Sequence, residues 1–442
     1  MPFTFIDLFA GIGGFHGALR GLGGNCVYSV EIDPAAAEIY KNNWGHDPLG
    51  DITLDVNESE VKVPPHDVLV AGFPCQPFSK SGAQRGMEET RGTLYWNILR
   101  IIEEHGPKLV VLENVRNIAG PRHIHEWDLI IRTLREAGYR VSKDPVVLSP
   151  HLLPRDIGGR PQVRERVFIV AVKDESFVED EFHIETPILA HEAVNGWNPA
   201  LWNLETDLPL SSKKIKGTEL NKSEKYWIDA WNDFVVGMLE VREGKRLPGF
   251  PLWGDSWELP ETLKIPMGTP KWKEDFLRKN ALFYSEHKEF IDDWMTKWDF
   301  KSELFPSSRR KLEWQAQDAS SLWETIMHFR PSGIRAKRAT YVPALVAITQ
   351  TSIIGKFGRR LSPKEAARLQ GLPDWYSFDG QSDAATYKQL GNGVNVGVVW
   401  HVVRTAVKTY EEILQKSCPG LVASVNSAPT NPDIALESLK PV

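Results

Sequence analysis

Short apolar runs, each ended by glycine or a polar residue, recur through the first 173 residues of the chain. Such runs are typical of strands buried on both faces of a parallel sheet. Segments between them carry helical spacing of apolar residues, with proline or a capping residue at the start and glycine at the end. Strands that alternate with helices predict an α/β domain with a mostly parallel sheet. The predicted strands are Phe3–Phe9, Cys26–Val30, Asp67–Ala71, Lys108–Leu112 and Val167–Val172.

This alternation stops after Lys173, where an acidic, irregular segment begins. From there to about Gly358 we predict a separate, smaller domain, whose core uses most of the 11 tryptophans found in that stretch. A capped helix at Leu361–Gly371 and a glycine turn at Gly391–Gly393 predict that the chain then returns to the first domain. The predicted boundaries are 1–180, 181–357 and 358–416, followed by a Ser, Pro and Asn-rich flexible tail at 417–442.

Composition narrows the class of protein. A chain of 442 residues with 42% hydrophobic and 25% charged residues is typical of a globular protein with two domains. It has no apolar run long enough to span a membrane and no signal-peptide pattern, so we expect a cytoplasmic protein without membrane contact. Its cysteines, Cys26, Cys75 and Cys418, are too few for a disulfide framework or a zinc site, and we expect no metal.

The cysteine at position 75 follows a predicted buried strand, in the sequence Gly72-Phe73-Pro74-Cys75-Gln76-Pro77-Phe78-Ser79. The carboxyl edge of a parallel sheet is where ligands bind. Pro74 and Pro77 restrict the backbone on both sides of the thiol, which suits a nucleophile on a stiff loop. The alternative is that Cys75 is a small apolar filler.

The loop Ala10-Gly11-Ile12-Gly13-Gly14 joins the first strand to a helix. Glycines there let backbone N–H groups approach a ligand at the helix N-terminus. A dinucleotide fingerprint would need glycine where His16 stands, so a nucleoside-bearing cofactor without a pyrophosphate fits better. Glu31, about 20 residues further on, is placed to bind ribose hydroxyls. Asp33 is expected to cap the next helix, and Asp51 with Ile52 to meet an adenine edge.

Further polar residues follow two other predicted strands. Glu113 ends the strand after the cysteine loop and would reach the same pocket, although a helix cap or a loop carboxylate is the alternative. Alternation places Gln162, Arg164 and Arg166 on one side of an extended segment, where three donors suggest an anion or a base oxygen as acceptor. A solvated face remains the other interpretation.

The net charge is −6, so affinity for nucleic acid would have to come from a local patch. The segment from Thr325 to Arg360 contains seven cations and no acid. Such a stripe can grip phosphates and present donors to base edges. The cations are Arg330, Arg335, Lys337, Arg338, Lys356, Arg359 and Arg360.

These motifs, in this order, resemble those of the cytosine carbon-5 DNA methyltransferases of bacterial restriction-modification systems. The resemblance covers about residues 3–173 and 355–410, and the middle domain stands where that family carries its target-recognition domain. It implies a Rossmann-like methyltransferase domain with an inserted recognition domain. It also implies S-adenosylmethionine as cofactor, double-stranded DNA as substrate, a monomer, and a restriction endonuclease acting on the same site as a possible partner.

The resemblance also implies roles for individual residues. Cys75 would attack carbon 6 of an extruded cytosine, Glu113 would stabilise charge at ring nitrogen 3, Arg164 would hold the carbonyl oxygen and Arg166 would orient neighbouring groups. The implied cofactor contacts are Phe9, Ala10, Gly11, Ile12, Gly13, Gly14, Glu31, Ile32, Asp51, Ile52, Gly72, Pro74, Asn392 and Val394. The implied DNA contacts are Gln76, Ser79, Ser81, Arg91, Arg330, Arg335, Lys337 and Arg338.

Two positions depart from the family pattern: Ile32 stands where an aromatic residue is frequent, and Gly393 stands where Ser or Ala is frequent. Three other functions stay open from the sequence. An RNA cytosine methyltransferase would carry a Cys-Phe-Thr element, but no cysteine lies between Cys75 and Cys418. A catalytically silent DNA-binding regulator would not need Cys75, Glu113 and Arg164. An NAD-linked oxidoreductase would need the glycine that His16 replaces.

Overall fold

The computed structural model describes residues 2–74, 93–174, 176, 193–210, 214–345 and 351–440. The chain forms two compact units. The first unit comprises Met1–Trp202, Pro343–Thr349 and Pro363–Val442, and the second comprises Asn203–Val342 and Gln350–Ser362. The strands are β1 Thr4–Leu8, β2 Asn25–Val30, β3 Val68–Gly72, β4 Leu109–Val115, β5 Tyr139–Val141, β6 Val146–Leu148, β7 Gln162–Val163, β8 Arg166–Lys173, β9 Leu252–Trp253, β10 Lys311–Gln315, β11 Ile326–Arg330, β12 Gly333–Lys337, β13 Val342–Pro343, β14 Ile353–Ile354 and β15 Arg359–Arg360.

Helices lie between and after these strands. The α-helices are α1 Gly14–Gly21, α2 Pro34–Trp44, α3 Ile52–Asp55, α4 Leu94–His105, α5 Ile124–Glu136, α6 Leu204–Asp207, α7 Lys222–Val241, α8 Lys271–Glu286, α9 Lys288–Lys297, α10 Pro363–Leu369, α11 Asp383–Asn392, α12 Val396–Thr409, α13 Glu411–Ser417, α14 Pro419–Ser427 and α15 Pro432–Glu437. Short 3₁₀ helices occur at Arg116–Ala119, Pro150–Leu152, Arg155–Ile157, Val194–Gly196, Pro199–Leu201, Gly254–Ser256, Ser307–Arg309, Leu322–Glu324 and Gly355–Phe357.

The first unit is built on a sheet that has seven strands within the described residues, in the order β2-β1-β3-β4-β8-β5, with β6 also paired to β8. β2, β1, β3 and β4 run parallel, whereas β8 runs antiparallel to β4, β5 and β6. The chain leaves β1 for β2 on one side and then crosses to β3 on the other. The predicted Rossmann-like α/β class is therefore confirmed, and the carboxyl ends of β1 and β3 form a topological switch point, where ligands bind in such sheets.

Both faces of this sheet are covered, as the continuous apolar runs predict. Successive residues of a strand point to opposite faces. On one face, Phe5 joins a core with α1, α2 and α12, and on the other face Ile6 and Leu8 join a core with α4 and α5. The buried strand ends are therefore held rigidly between two layers of helices.

The predicted flexible tail after residue 416 is wrong. α14 and α15 are helical, and Leu421, Val425 and Leu436 are almost completely buried. The backbone oxygen of Leu436 accepts a hydrogen bond of 3.0 Å from the indole of Trp375. Small polar residues suggested a loose segment, but the few apolar residues among them are spaced to pack on one face of each short helix.

The predicted boundary at residue 181 also differs from the structure, because the first unit extends to Trp202. The indole N–H groups of Trp197 and Trp202 both donate to the backbone oxygen of His151, at 3.1 and 2.9 Å. The guanidinium of Arg155 lies over both rings. These contacts attach both tryptophans to the first unit, where composition alone assigned them to the next domain.

The second unit contains a sheet that has six strands in the part of the chain described, in the order β15-β14-β11-β12-β10-β9. Helix α7 begins with a capping box, in which Asn221 and Glu224 bond to each other's backbone N–H. Its apolar face packs on aromatic residues of α9 and the sheet. Trp231, Trp257, Trp294 and Trp314 are buried, so tryptophans do form much of this core as predicted.

Candidate active site

A cavity of about 500 Å³ lies at the carboxyl ends of the four parallel strands of the first unit. Its volume is in the range of small-molecule sites. Most of the residues singled out in the sequence for cofactor binding and catalysis line it. These are Phe9, Ala10, Gly11, Ile12, Gly14, Glu31, Ile32, Asp51, Ile52, Gly72, Pro74, Glu113, Arg166, Asn392 and Val394.

Two glycines of this loop, Gly13 and Gly14, have contacts that leave no room for a side chain. A Cβ on Gly14 would lie 2.5 Å from the backbone oxygen of Val394, and a Cβ on Gly13 would lie 2.2 Å from the indole nitrogen of Trp44. Gly13 also has φ +82°, which favours glycine. Gly13 does not line the cavity, so its expected cofactor contact is corrected: it packs on Trp44 and starts α1.

The carboxylate of Glu31 is oriented by backbone donors. One oxygen accepts a 2.8 Å hydrogen bond from the N–H of Gly11, and the other accepts one of 2.8 Å from the N–H of Asp33. A carboxylate has about four acceptor positions, so each oxygen can still accept another hydrogen bond. Glu31 is thereby presented to the cavity with a fixed geometry suited to a pair of hydroxyl groups.

The neighbours of Glu31 continue the same wall. Asp33 caps α2 through the N–H groups of Ala35 and Ala36, as its place before Pro34 predicts. The N–H of Gly50 donates to the backbone oxygen of Glu31 at 3.0 Å, which brings Asp51 beside it. Ile32 lines the cavity but is 69% exposed. An aliphatic surface therefore stands where the family frequently has an aromatic ring.

Glu113 and Arg166 form an ion pair at the other end of the cavity. The two residues lie on the antiparallel strands β4 and β8, and Arg166 Nε is 3.0 Å from Glu113 Oε1. Glu113 is buried, and this burial raises the pKa of its carboxyl, while Arg166 and then Arg164 act to lower it. A carboxyl with a raised pKa is poised to hold or share a proton.

Arg164 does not line the cavity, which corrects its expected role on the carbonyl oxygen of a base. It is 1% exposed, and its guanidinium donates to the backbone oxygens of Gly391, Gly393 and Leu345 at 2.8, 2.6 and 3.3 Å. Burial lowers the pKa of Arg164 to about 9, so the side chain stays charged at neutral pH. Arg164 therefore holds the late glycine motif against the sheet, and Arg166 is the arginine that faces the cavity.

The strand that leads to the cysteine loop ends beside Glu113. Gly72 is paired with Glu113 across β3 and β4, and a Cβ at Gly72 would lie 3.5 Å from Glu113 Oε2. The side chain of Asn114 donates to the backbone oxygen of Phe73 at 2.9 Å, which fixes the residue before Pro74. Five residues expected in catalysis or DNA binding lie outside the described residues: Cys75, Gln76, Ser79, Ser81 and Arg91.

Sequence reasoning missed several residues of this cavity. Asn114, Lys388 and Gln389 line it, as do the apolar residues Phe15 and Leu94. Asn114 follows Glu113 directly, so the same strand end could have indicated it. Lys388 lies four residues before Asn392, and residues with that spacing share one face of a helix.

The cations of the second unit are largely paired with acids from elsewhere in that unit. Glu313 lies 2.6 Å from Arg335 and 3.6 Å from Arg330, and Arg338 contacts Asp318. Similarly, Lys356 pairs with Glu205 and Arg360 with Glu224. The stripe that carries no acid in the sequence is therefore not an uncompensated patch in the fold. Arg359 is almost completely buried. The pKa of Lys337 is lowered, first by burial and then by the charges of Arg335 and Arg330.

Comparison with known proteins decides the family. The profile of "C-5 cytosine-specific DNA methylase" matches residues 3–408. The chain belongs to this family.

Alignments with other methyltransferases cover most of the chain. Type II methyltransferase M.AluI of Cellulosimicrobium cellulans is 47% identical over 495 aligned positions, which cover 95% of this chain and 94% of the relative. Type II methyltransferase M.HhaI of Haemophilus parahaemolyticus is 42% identical, with 90% and 92% covered. The solved structure of a Spodoptera frugiperda DNMT2 variant is 16% identical, with 91% and 99% covered and a TM-score of 0.47. The methylase has no helix, among the residues described, that is long and apolar enough to cross a membrane.

Proposed function

We propose that this methylase modifies carbon 5 of cytosine within a specific sequence of double-stranded DNA, using S-adenosylmethionine and a covalent intermediate on Cys75. A role in a restriction-modification system, with an endonuclease of the same specificity, is part of this proposal. One observation carries this proposal. Glu31, which suits a nucleoside, and the ion pair of Glu113 and Arg166 line the same cavity.

The residues at the first end fit S-adenosylmethionine. Glu31 presents a carboxylate oriented by two backbone N–H groups, as two ribose hydroxyls require. Phe9, Ile32, Asp51 and Ile52 surround the space next to it and would hold the adenine ring. When bound, the cofactor would supply an electrophilic methyl group attached to a sulfonium.

The residues at the second end suit the activation of a cytosine. Carbon 5 is a weak nucleophile, and addition of the Cys75 thiolate at carbon 6 would make it electron-rich. Charge would then develop at ring nitrogen 3, where Glu113, with its raised pKa, can share a proton. Arg166 lines the cavity and would donate to the carbonyl oxygen of the base. Once carbon 5 carries the methyl group, loss of its proton to a base or water would reform the ring double bond and release the Cys75 thiolate from carbon 6.

Access to these groups requires the cytosine to leave the duplex. Extrusion costs a few kcal/mol, which contacts with the phosphates and the remaining strand must offset. In the second unit, buried and partly exposed residues alternate along β12, so Arg335 and Lys337 share its polar face. We include these two residues, with Arg330, Arg338 and the cysteine-loop residues Gln76, Ser79, Ser81 and Arg91, as the proposed DNA contacts.

The test is to express the methylase in cells and map methylated cytosines by bisulfite sequencing. We expect one short sequence to be methylated by the wild type and none by Cys75→Ser. Isothermal titration should show that Cys75→Ser still binds S-adenosylhomocysteine. A duplex with 5-fluorocytosine at the mapped position should form a covalent adduct whose peptide contains Cys75. Turnover by Cys75→Ser, or an adduct on another residue, would contradict the nucleophile assignment.

A further inference from the structure

The polar face of the sheet in the second unit continues past the strand that carries Arg335. Arg335 of β12 lies opposite Glu313 of β10. Lys311, two residues before Glu313, lies opposite Trp253 of β9. Residues two apart in a strand point to the same side of a sheet, and all four of these residues are partly exposed. The face proposed above to contact DNA therefore extends across β10 to Trp253.

Helix α8 extends this surface beyond β9. The side-chain amide of Asn280 accepts a 2.7 Å hydrogen bond from the N–H of Trp253 and donates one of 3.0 Å to the backbone oxygen of Pro251. Asn280 is completely buried, so these bonds fix α8 along β9. The ring of Phe276 meets that of Trp253 edge to face at 5.5 Å, and the ring of Trp272 meets that of Phe276 at 6.1 Å. These three rings form an aromatic row that leads from the sheet along α8.

The end of the aromatic row lies outside the core of the second unit. Residues 272, 276, 280 and 283 are spaced by three or four positions, so they share one stripe of α8. Asn280 and Phe283 on this stripe are buried, whereas Trp272, about two turns nearer the start of the helix, is 60% exposed. Trp272 therefore offers apolar surface that another molecule can cover.

Cations accompany the aromatic row. The ammonium of Lys311 lies 5.8 Å from the centre of the Trp253 ring, and that of Lys279 lies 6.0 Å from the centre of the Phe276 ring. Lys279 pairs with Asp275 at 3.7 Å, and these two side chains are 49% and 64% exposed. Exposed ion pairs of this kind contribute little to stability. The ammonium of Lys279 can therefore turn toward another anion with little loss.

We propose that the aromatic row, with Lys311 and Lys279, binds the sugar–phosphate backbone of duplex DNA beside the recognition sequence. The inference rests on the proposed action on DNA and extends its contact surface to α8. Between residues 271 and 279, α8 carries four cations and two acids, although the whole chain has a net charge of −6. A local excess of positive charge, next to proposed phosphate contacts, fits a polyanion better than a second copy of this acidic chain. The two ammonium groups would meet phosphates, and the exposed side of Trp272 would pack on a deoxyribose.

The test is fluorescence anisotropy of the full chain with two labelled duplexes. The short duplex just spans the site mapped by bisulfite sequencing, and the long duplex extends it by about two helical turns on each side. We expect the wild type to bind the long duplex more tightly. Trp272→Ala should weaken binding of the long duplex about fivefold and leave that of the short duplex unchanged. Trp272→Phe should restore most of the affinity, because it keeps an aromatic ring.

Charge provides a second measurement. Lys279→Gln removes one phosphate contact, so the slope of log K against log salt for the long duplex should become shallower by about 0.9. Lys297→Gln is the matched control, because Lys297 is 60% exposed on α9 and pairs with Asp233 at 2.9 Å; it should leave the slope nearly unchanged. Leu282→Ala controls for lost apolar surface, since Leu282 is 55% exposed on another face of α8. It should alter the binding of neither duplex.

Equal weakening of both duplexes by Trp272→Ala, or weakening of neither, would overturn the inference. So would a wild-type dimer that Trp272→Ala converts to a monomer in analytical ultracentrifugation without a change in DNA affinity, because the aromatic row would then serve self-association. Equal affinity of the wild type for the two duplexes would refute only the extension to α8. If the wild type bound neither duplex, the proposed action on DNA would itself be wrong.

Discussion

Arg166 and Glu113 meet across the antiparallel pair β4 and β8, with 3.0 Å between Arg166 Nε and Glu113 Oε1. Burial raises the pKa of Glu113, and the guanidinium partly offsets that effect. Burial and the guanidinium therefore act on the pKa of Glu113 in opposite directions, and burial has the larger effect.

Removal of the arginine charge should change the titration of Glu113. In Arg166→Met we expect the pKa of Glu113 to rise further, because burial remains and the main opposing cation is lost. Difference infrared spectroscopy of the carboxyl band across pH, with Glu113→Gln to assign the signal, measures this. Methylation should also fall by at least about tenfold through the lost donor.

The matched control for this prediction is Arg132→Met, since Arg132 pairs with Glu136 on the exposed side of α5. It should leave the Glu113 band and the methylation rate unchanged. A Glu113 pKa that stayed the same or fell in Arg166→Met would show that the ion pair is not what opposes the effect of burial.

Arg164 should behave as a structural residue. Its substitution by Met leaves the backbone oxygens of Gly391, Gly393 and Leu345 without their donor in a buried place. We expect the free energy of unfolding to fall by roughly 3 kcal/mol. Urea denaturation measures this, and Arg166→Met, which removes a side chain that is 20% exposed, should cost clearly less. Equal losses in the two variants would argue against the separation of their roles.

The contrast between the two arginines shows how far sequence reasoning reaches. Local rules predicted Glu31 beyond the glycine loop, the cap at Asp33 and the strand end at Glu113, because each depends on neighbours in the chain. Alternation placed Arg164 and Arg166 together, but which one meets the cavity depends on Gly391 and Gly393, more than 200 residues away. The acids that neutralise the stripe of cations, such as Glu205 and Glu224, are equally distant in sequence.

Asp7 should make the stability of the methylase depend on pH. Its carboxyl lies on β1 and is completely buried, and this burial raises its pKa well above the usual range. The backbone N–H of His16 lowers the pKa of Asp7, and the negative charge of Glu31 raises it. Because the folded pKa is raised, the folded state binds the proton more tightly, and the stabilisation is lost as pH rises above about 4.

Asp7→Asn removes this titration and keeps the size of the side chain. We expect the variant to gain stability relative to the wild type between pH 5 and pH 8, by more than about 1 kcal/mol. Urea denaturation at the two pH values measures the difference. Subtraction of the wild-type stability from the variant stability at each pH removes the contributions of other titrating groups. One of these is the buried His16, whose lowered pKa of about 3 makes stability rise with pH. A constant difference between variant and wild type would contradict the prediction.

Glu313 should restrain the affinity of the second unit for DNA. It lies within 3.6 Å of both Arg330 and Arg335, so Glu313→Gln would free two proposed phosphate contacts. We expect tighter non-specific binding and a plot of log K against log salt that is steeper by up to about 2, because each new phosphate contact adds about 0.9 to the slope. Fluorescence anisotropy at several salt concentrations measures both. Glu289→Gln, at an exposed position of α9, makes the same change in net charge and should have a much smaller effect.

Helix α15 should stabilise α1, the helix that follows the glycine loop. Leu436 on α15 is 1% exposed. Its side chain packs next to Gly17 of α1, where an added Cβ would lie 3.6 Å from Leu436 Cδ2. We expect Leu436→Ala to lower the free energy of unfolding by about 2–4 kcal/mol, since it leaves a cavity against α1. Ile434→Ala on the same helix is the control, because Ile434 is 63% exposed and should cost less than about 0.5 kcal/mol. Thermal and urea unfolding of both variants measures the contrast. Equal small effects would mean that α15 is detached from α1 in solution, as the composition of the segment first suggested.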